Sequence, residues 1–446
     1  MVVLRHLYRN FRISERRFSA TSVNRDKYSC KILVVGGGAG GCSTAAKFAR
    51  TLKKNELIVL EPSEYHYYQP LFTIIGGGTS TLQEARRKES DVLPKNCTWI
   101  KDKAAVYDPE KSFVTTEKGD VIEYDYMLIA VGLELRYDLI PGLQEALDKP
   151  SNVCSIYSPK YAPHVFEVLK NLKDGDAHFT FPNSPVKCPG APQKICYISD
   201  HYLRKQNRRD NVNITYNTSL PVIFGVKKYA DALWKLCKSR NIDVNLRTNL
   251  VNVNSVNNEA TFQNLDNPDE KKTVKFSMLH VVPPMATPLS LSSNKKISNE
   301  AGFVNVHKHT LQHIVYPNIF SIGDCASTPN SKTAAAAAAQ TEVVFRNLSA
   351  VMNGQSLPLS YDGYASCPLV TGYDKCILAE FDYNLNPLET FPFDQDKELR
   401  SMYILKKIFM PQLYWNLMLN GYWNGPALFR RIMHLQFVDK KPPAKS

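Results

Sequence analysis

The sequence predicts an α/β fold with two Rossmann-like domains, the second inserted in the first, followed by a C-terminal amphipathic segment. Three observations carry this prediction. A strand, a glycine-rich turn and a helix follow one another in residues 31–49, a strand ends in Gly-Asp at 323–324, and a further strand lies between them at 177–181. Because nucleotide-binding patterns flank the middle of the chain, the middle is expected to form its own sheet.

A chain of 446 residues exceeds what one hydrophobic core usually organises, so several domains are expected. The predicted divisions are a basic N-terminal segment (1–25), the first part of a nucleotide-binding domain (28–150), a second Rossmann-like domain (151–279), the second part of the nucleotide-binding domain (280–360) and a C-terminal segment (361–446).

The net charge of +13 is concentrated at the two ends of the chain. Residues 1–25 hold six Arg against Glu15 alone, and residues 397–446 hold nine Lys and Arg against two acids. The part of the chain between the two ends is nearly neutral, so it lacks the positive charge that binding to nucleic-acid phosphates requires. This argues against a nucleic-acid partner. The Arg-rich, acid-poor start is typical of a mitochondrial transit peptide, with a basic tail as the alternative.

The first nucleotide motif is a short β-branched run at 31–35 followed directly by a G-x-G-x-x-G turn and a helix-like segment. The turn comprises Gly36, Gly38, Ala39, Gly40 and Gly41. Its glycines allow a tight turn and a close approach to a pyrophosphate, whose charge then faces the helix N-terminus. A second strand ends in Glu61, which is placed to accept a hydrogen bond from a ribose hydroxyl.

The strand that ends in Gly323 and Asp324 favours FAD over NAD as the nucleotide. In flavoproteins with two dinucleotide domains, such an acid contacts the ribityl chain, and the next helix directs its N-terminus at the flavin. Lys332 and six alanines at 334–339 suit that role, because a hydroxyl residue caps a slim helix that permits close approach. The helix dipole and the lysine would favour an anionic reduced flavin.

No second glycine-rich turn follows the strand at 177–181. The loop at 182–192 holds four prolines and one glycine, which a pyrophosphate cannot approach closely, and Cys188 lies within it. Cys367 lies in a second segment with Pro and Gly nearby. Both cysteines are therefore expected in loops where a thiolate can form, close to a bound redox cofactor. The ten cysteines contain no C-x-x-C pair, so neither a metal site nor a disulfide scaffold is expected.

At this point the chain resembles the sulfide:quinone oxidoreductases, and their eukaryotic mitochondrial branch closely. The residues that carry the resemblance form the blocks 186–195, 224–229, 323–325, 331–335 and 361–370. The resemblance implies FAD as the sole nucleotide, hydrogen sulfide as the electron donor, ubiquinone as the acceptor, and glutathione or sulfite as the acceptor of sulfur.

The resemblance also implies roles for individual residues. Cys188 and Cys367 would be the redox pair, with the persulfide on Cys188 and the flavin-facing thiolate on Cys367, and Lys187 and Lys194 could lower the pKa of Cys188. The further cofactor contacts that it implies are Gln69, Ala104 and Gly132. Cysteines outside the pair are interpreted as structural (Cys42, Cys97, Cys154, Cys196, Cys237), and three histidines as satisfied or exposed (His66, His201, His280).

Residues 399–419 are rich in large apolar side chains and contain Pro411, which is expected to break the segment. With Lys406, Lys407, Trp415 and Trp423 nearby, the composition is typical of a helix that lies in a membrane interface. The alternative is a helix pair packed on the body or at a contact of a possible homodimer. We expect a peripheral protein of the mitochondrial inner membrane, on the matrix side.

Two other functions remain open at the level of sequence. A type-2 NADH dehydrogenase would use the same scaffold, but it needs glycines where this chain has prolines. A non-enzymatic flavin-bound scaffold would leave both loop cysteines without a role.

Overall fold

The computed structural model describes residues 25–435. The predicted transit peptide and the basic residues beyond 435 lie outside this range, apart from Arg25.

The described strands are β1 (Lys27–Val35), β2 (Leu57–Leu60), β3 (Tyr65–Tyr67), β4 (Arg86–Lys88), β5 (Thr98–Ile100), β6 (Ala104–Asp108), β7 (Phe113–Thr116), β8 (Val121–Ile129), β9 (Glu134–Leu135), β10 (Val153–Cys154), β11 (Gly175–Phe181), β12 (Val212–Thr218), β13 (Ile242–Asn245), β14 (Thr248–Asn254), β15 (Glu259–Asn264), β16 (Lys271–Lys275), β17 (Met278–His280), β18 (Met285–Ala286), β19 (Ile319–Ser321), β20 (Ala365–Val370) and β21 (Cys376–Phe381).

The described α-helices are α1 (Ala39–Phe48), α2 (Phe72–Gly76), α3 (Glu89–Val92), α4 (Leu143–Asp148), α5 (Ala162–Asn171), α6 (Ala191–Lys205), α7 (Lys227–Ser239), α8 (Leu289–Ser292), α9 (Ala334–Met352), α10 (Arg400–Ile404), α11 (Met410–Leu413) and α12 (Ala427–Met433). Short 3₁₀ turns lie at Lys54–Glu56, Gln69–Leu71, Tyr137–Leu139, Arg209–Asn211 and Gly323–Cys325.

The first sheet has seven strands in the order β5-β2-β1-β8-β7-β6, with β19 added beside β8. The strands β5, β2, β1, β8 and β19 are parallel, while β7 and β6 form an antiparallel extension. Their apolar runs are buried on both faces, as in parallel sheets covered by helices. The carboxyl ends of these five parallel strands therefore meet at one edge.

The second sheet is parallel, in the order β10-β17-β11-β12-β13, and is built from residues between β8 and β19 of the first sheet. This arrangement confirms the predicted α/β class with one Rossmann-like sheet inserted in another. An antiparallel arm, β14-β15-β16, projects from the second sheet.

The C-terminal part differs from the sequence prediction in two ways. Cys367 lies in β20, paired with β21, and not in a loop. Pro368 has no N–H to donate, and the pairing tolerates it because none is needed at this position. Its partner Leu378 donates its N–H away from β20, to the carbonyl of Gln395, so the two residues form a pair without hydrogen bonds between them.

Pro411 does not break the helix in which it lies. Helical structure is continuous from Arg400 to Met418, here called the C-terminal helix, and two stretches have π-helical spacing (Leu405–Phe409 and Tyr414–Met418). The N–H of Met410 bonds the carbonyl of Leu405, five residues back, and this wider turn accommodates the proline ring.

Within residues 25–435, no helix combines the length and the apolar character needed to cross a bilayer.

Candidate active site

A cavity of about 1160 Å³ lies at the edge where β1, β2, β8 and β19 end. Its other walls come from the loop after β11, the β20–β21 hairpin and the C-terminal helix. Ligand pockets usually measure roughly 300–1,000 Å³, so the space suits a large cofactor together with a second molecule. The position is the one at which open α/β sheets bind their ligands.

Most residues predicted as site residues line this cavity. Those that line it are Gly36, Gly38, Ala39, Gly40, Glu61, Gln69, Ala104, Gly132, Cys188, Asp324 and Lys332. Gly41 and Cys367 do not.

Gly41 has a packing role in the turn. A Cβ at this position would lie 1.8 Å from the carbonyl oxygen of Gly36, so only glycine lets α1 start this close to β1. Gly36 itself has φ +104°, in the left-handed region. The two glycines shape the turn that Gly38 and Gly40 present to the cavity.

The start of α9 agrees with the sequence prediction. Thr333 caps the helix, and its Oγ1 accepts a hydrogen bond of 3.1 Å from the N–H of Ala336. Residues 334, 335, 337 and 338, all alanines, line the cavity. The slim helix therefore places its positive end at the cavity wall.

Asp324 and Lys332 lie together at this wall. Burial raises the pKa of the Asp324 carboxyl, and the cations of Lys187 and Lys332 oppose that rise. The Lys332 ammonium donates to the carbonyls of Ala326 and Thr328, at 2.6 and 2.9 Å, and burial lowers its pKa to about 8. Lys332 therefore anchors the loop between β19 and α9 in addition to bordering the cavity.

Cys188 and Cys367 come together although 179 positions separate them. Both are free thiols, and they share a hydrogen bond in which Cys367 donates to the sulfur of Cys188. The Lys194 ammonium also donates to the Cys188 sulfur, at 3.4 Å. Gly190 permits this packing, since a Cβ there would lie 2.4 Å from the Cys367 sulfur.

The two sulfurs have opposite electrostatic environments. The hydrogen bond from Cys367 and the cations of Lys194 and Lys406 hold the pKa of Cys188 well below its usual range, despite burial. The pKa of Cys367 lies well above its usual range, because its proton is held by Cys188 and its site is buried. Cys188 is thus the thiolate of the pair and Cys367 the thiol.

The loop that carries Cys188 is fixed to the start of α9. The N–H of Cys188 bonds the carbonyl of Lys332 at 2.6 Å, and Tyr157 donates its hydroxyl proton to the Cys188 carbonyl at 3.3 Å. Cys188 has φ +51°, a conformation that costs a non-glycine residue about 1–3 kcal/mol and that clusters at functional sites.

Lys187, the second lysine expected to act on Cys188, interacts electrostatically with Asp324 and, more weakly, with Cys188. The cation missed by sequence reasoning is Lys406, which was assigned to the membrane interface. It is 1% exposed, donates to the carbonyl of Pro70 at 3.0 Å, and has a pKa lowered by burial to about 8. That assignment was wrong because the inner face of the C-terminal helix lines the cavity. No local pattern distinguishes Lys406 from its half-buried neighbour Lys407.

Trp415 was likewise assigned to the membrane interface, and it is 7% exposed. Its ring packs against His66 and Tyr414, beneath the Arg87 guanidinium. Trp423 is half-buried and lines the cavity.

His66 is satisfied, as expected. One ring nitrogen lies 2.6 Å from the Tyr414 hydroxyl and the other 3.3 Å from Glu89. Cys42 joins the cluster, and the ligand atoms of Cys42, His66 and Glu89 lie within 4.8 Å of one another, a spacing that could hold a metal ion. Each of them already has a hydrogen-bond partner, so we interpret the cluster as a link between α1, α3 and the C-terminal helix.

The other cysteines and histidines considered lie away from the cavity. Cys97 and Cys154 are buried core residues, as are Cys196 and Cys237. His280 is fully buried with a pKa lowered to about 3, so it stays neutral, and burial also lowers the pKa of His201.

The cavity wall fits FAD in its donor and acceptor chemistry. The N-terminus of α1 borders it at Ala39 and offers amides to a pyrophosphate. Glu61 and Asp324 supply acceptors at separate strand ends for ribose and ribityl hydroxyls. Part of the Glu61 carboxylate is committed, since it accepts the N–H groups of Gly37 at 2.7 Å and Ser63 at 2.8 Å.

Comparison with known proteins extends this description. Residues 30–176 match the pyridine nucleotide-disulphide oxidoreductase family. The chain is 47% identical to the mitochondrial sulfide:quinone oxidoreductase of Mus musculus, over 91% of this chain and 90% of that protein. It is 46% identical to the Dictyostelium discoideum protein of the same name, over 89% and 87%.

The fold is similar to the crystal structure of the sulfide:quinone oxidoreductase from Aquifex aeolicus, with a TM-score of 0.72, 20% identity, and coverage of 92% of this chain and 95% of that one. Together with the identities to the two mitochondrial relatives, this shows that the chain belongs to the mitochondrial sulfide:quinone oxidoreductase family of FAD-dependent flavoenzymes.

Proposed function

We propose that this protein oxidises hydrogen sulfide at Cys188 and Cys367 and passes two electrons through FAD to ubiquinone. The observation that carries the proposal is the hydrogen-bonded cysteine pair beside Lys194, with Cys188 in the wall of the nucleotide cavity. The NADH-dehydrogenase alternative is disfavoured because the loop after β11, where a second nucleotide would need a glycine-rich turn, holds four prolines instead. The N–H of Cys188 also fixes this loop to the carbonyl of Lys332, just before α9.

The cysteine chemistry begins from the disulfide form of the pair. Hydrosulfide attacks one sulfur, so that the S–S bond breaks and leaves a persulfide on one cysteine and a thiolate on the other. Glutathione or sulfite then takes the outer sulfur and leaves a second thiolate. When the two thiolates rejoin as a disulfide, they release two electrons. Bound FAD would be the group that accepts these two electrons and donates them to the quinone.

The geometry leads us to exchange the two roles that the resemblance implied. Cys188 borders the cofactor cavity and has a depressed pKa, which suits the flavin-facing thiolate. Cys367 is 1% exposed and does not border the cavity, so we assign it the persulfide. Lys194 and Lys406 stabilise negative charge on the pair.

We further propose that the protein docks on the matrix face of the mitochondrial inner membrane. Exposed apolar side chains support this on the outer face of the C-terminal helix and on the residues that follow. They are Ile404, Ile408, Phe409, Leu417, Tyr422, Leu428, Phe429, Ile432 and Leu435, here called the apolar patch. A quinone dissolves in the bilayer, so a docked enzyme meets its acceptor there. A homodimer stays a prediction.

The test is anaerobic reduction of the FAD-loaded protein, followed by its flavin spectrum. Sulfide together with sulfite as sulfur acceptor is expected to bleach the wild type, and NADH is not. Cys188→Ser and Cys367→Ser should keep FAD but lose sulfide-dependent quinone reduction, with Cys154→Ser, a buried core cysteine, as the matched control. Bleaching by NADH alone would favour the dehydrogenase, and full activity in either active-site variant would overturn the role of the pair.

A further inference from the structure

The strand β20 divides the cavity region into two sides. Side chains alternate along a strand, and Cys367 and Leu369 face Gly190 on the cysteine side. Ser366 and Pro368, which alternate with these two residues along the strand, lie on the other face and line the cavity. Tyr364, just before the strand, lines it as well. A separate set of polar groups therefore faces the cavity from the side opposite the cysteine pair.

The centre of this second set is Glu380, a buried carboxylate on β21 that also lines the cavity. It accepts hydrogen bonds from the Tyr364 hydroxyl at 2.6 Å and, at 2.8 Å each, from the Thr390 hydroxyl, the Thr390 N–H and the Gln395 amide. Among residues 25–435, no Lys, Arg or His side chain forms an ion pair with it within 4.0 Å. All of the hydrogen-bond donors that hold the Glu380 carboxylate are therefore neutral groups.

Tyr364 connects Glu380 to the cavity. Burial and the Glu380 charge hold the pKa of the Tyr364 phenol well above its usual range, so the phenol keeps its proton. The Arg430 guanidinium lies 5.0 Å from the ring centre and opposes this shift. Its Nε and Nη2 atoms are buried without hydrogen-bond partners, so its charge is available to a neighbouring phenolate.

This end of the cavity adjoins the apolar patch. Trp423, Pro426 and Phe429 line it, while Leu428 and Ile432 of the same segment are exposed. An apolar substrate that enters from a bilayer at the patch would reach the Tyr364 side of the cavity.

We propose that Tyr364 and Glu380 form the proton relay that protonates the bound quinone, an inference that rests on the proposed function. Reduction of a quinone to a quinol takes two electrons and two protons. In each pass of the relay, the Glu380 carboxylate first takes up a proton from water. The Tyr364 O–H bond then breaks and its proton passes to a quinone oxygen, while the proton on Glu380 passes to the Tyr364 oxygen. Glu380 is left as a carboxylate stabilised by Thr390 and Gln395. Each pass supplies one of the two protons.

The experiment separates the two half-reactions of the FAD-loaded enzyme. Sulfide with sulfite present first reduces the flavin, and a short-chain ubiquinone then reoxidises it in a stopped-flow instrument. Glu380→Gln and Tyr364→Phe are expected to leave the sulfide step unchanged and to slow reoxidation on the order of 100-fold, the lower range for lost acid catalysis. Equilibrium binding of the ubiquinone to the oxidised protein should stay within about threefold of the wild-type value, since the relay moves protons.

Tyr361→Phe is the matched control. Its hydroxyl donates to the Tyr364 carbonyl at 2.6 Å but does not line the cavity, so reoxidation should proceed at the wild-type rate. Wild-type reoxidation rates in both relay variants would overturn the relay while leaving the proposed function intact. Failure of sulfide to bleach the wild-type flavin would instead overturn the proposed function.

Thr390→Val keeps the proposal testable if Glu380→Gln does not fold. Losing the hydroxyl donor makes it easier for the Glu380 carboxylate to take up a proton, so reoxidation should persist to higher pH. The other charged or titratable groups that face Glu380 are Tyr364, Tyr229, and Arg430 beyond the Tyr364 ring, and none of them is changed. An unshifted alkaline limb would count against the relay.

Discussion

At the scale of single residues, the two cysteines of the pair differ because of what surrounds them. Cys188 receives hydrogen bonds from Lys194 and Cys367, whereas Cys367 is enclosed and keeps its proton, which it donates in the hydrogen bond to Cys188. The same side chain is thereby made a thiolate at one position and a thiol at the other, which is what an exchange reaction needs.

The charge of Lys194 is expected to set the pH dependence of Cys188. Removing it in Lys194→Met destabilises the thiolate and raises the pKa of Cys188, so the midpoint of alkylation by iodoacetamide should move to higher pH. Lys205→Met, an exposed site on the same helix, should leave the midpoint unchanged. An unmoved midpoint in Lys194→Met would show that the cation does not act on Cys188.

The close approach at Gly190 yields a steric prediction. Gly190→Ala places a methyl group 2.4 Å from the Cys367 sulfur and must push the pair apart. A displacement of this size commonly costs about 100-fold in rate, so bleaching by sulfide should slow by that order while FAD stays bound. Gly225→Ala is the control, because the nearest atoms to its added Cβ lie 4.0 Å away. Equal rates in the two variants would contradict the packing.

At the scale of elements, the C-terminal helix has one face that lines the cavity and one face that is exposed. Lys406 and Tyr414 point inward and line the cavity, while Ile404, Ile408 and Leu417 are exposed. The helix therefore forms the wall between the site and the proposed membrane surface. Deleting the helix would open the cavity, so a test of docking must change only the outer face.

Polar substitutions in the apolar patch are expected to weaken binding to liposomes that contain anionic lipid. Burial of each large aliphatic side chain contributes about 1.5–3 kcal/mol, so Leu428→Ser with Ile432→Ser should reduce binding by tenfold or more in a flotation assay. The control pair is Leu289→Ser with Val256→Ser, two exposed apolar residues outside the patch (77% and 90% exposed). Unchanged flotation of the patch variant would refute docking through this surface.

At the scale of the whole molecule, the cavity joins parts of the chain that are far apart in sequence. The first sheet contributes strand ends, the inserted sheet contributes the Cys188 loop, and the C-terminal region contributes β20, β21 and its helices. A ligand in the cavity therefore couples all three parts, and binding to the folded state alone stabilises it.

FAD is accordingly expected to protect the molecule unevenly against hydrogen exchange. Saturation at about 100 times the dissociation constant adds about 2.7 kcal/mol to the free energy of unfolding. Local protection should increase at residues 36–40, 187–188 and 333–335, which border the cavity. The arm β14–β16, which does not, is the internal control. Equal protection of the arm and the cavity wall would contradict a cofactor site at this position.

The sequence by itself determined the α/β class and most of the residues that line the cavity on the side proposed for the nucleotide. The turn at 36–41, Glu61, Asp324 and the capped α9 were predictable because each depends on local geometry: a strand end, a glycine conformation or a helix start. Such signals lie within a few adjacent residues, where backbone sterics alone dictate the outcome.

The tertiary structure alone decided which side chains meet. Sequence placed Cys367 in a loop and Lys406 at a membrane, yet strand pairing and helix packing put the first against Cys188 and the second inside the cavity. It also joined Tyr364 to Glu380 and Arg430. These contacts form between segments distant in the chain, so they depend on how buried surfaces pack together, which no local pattern encodes.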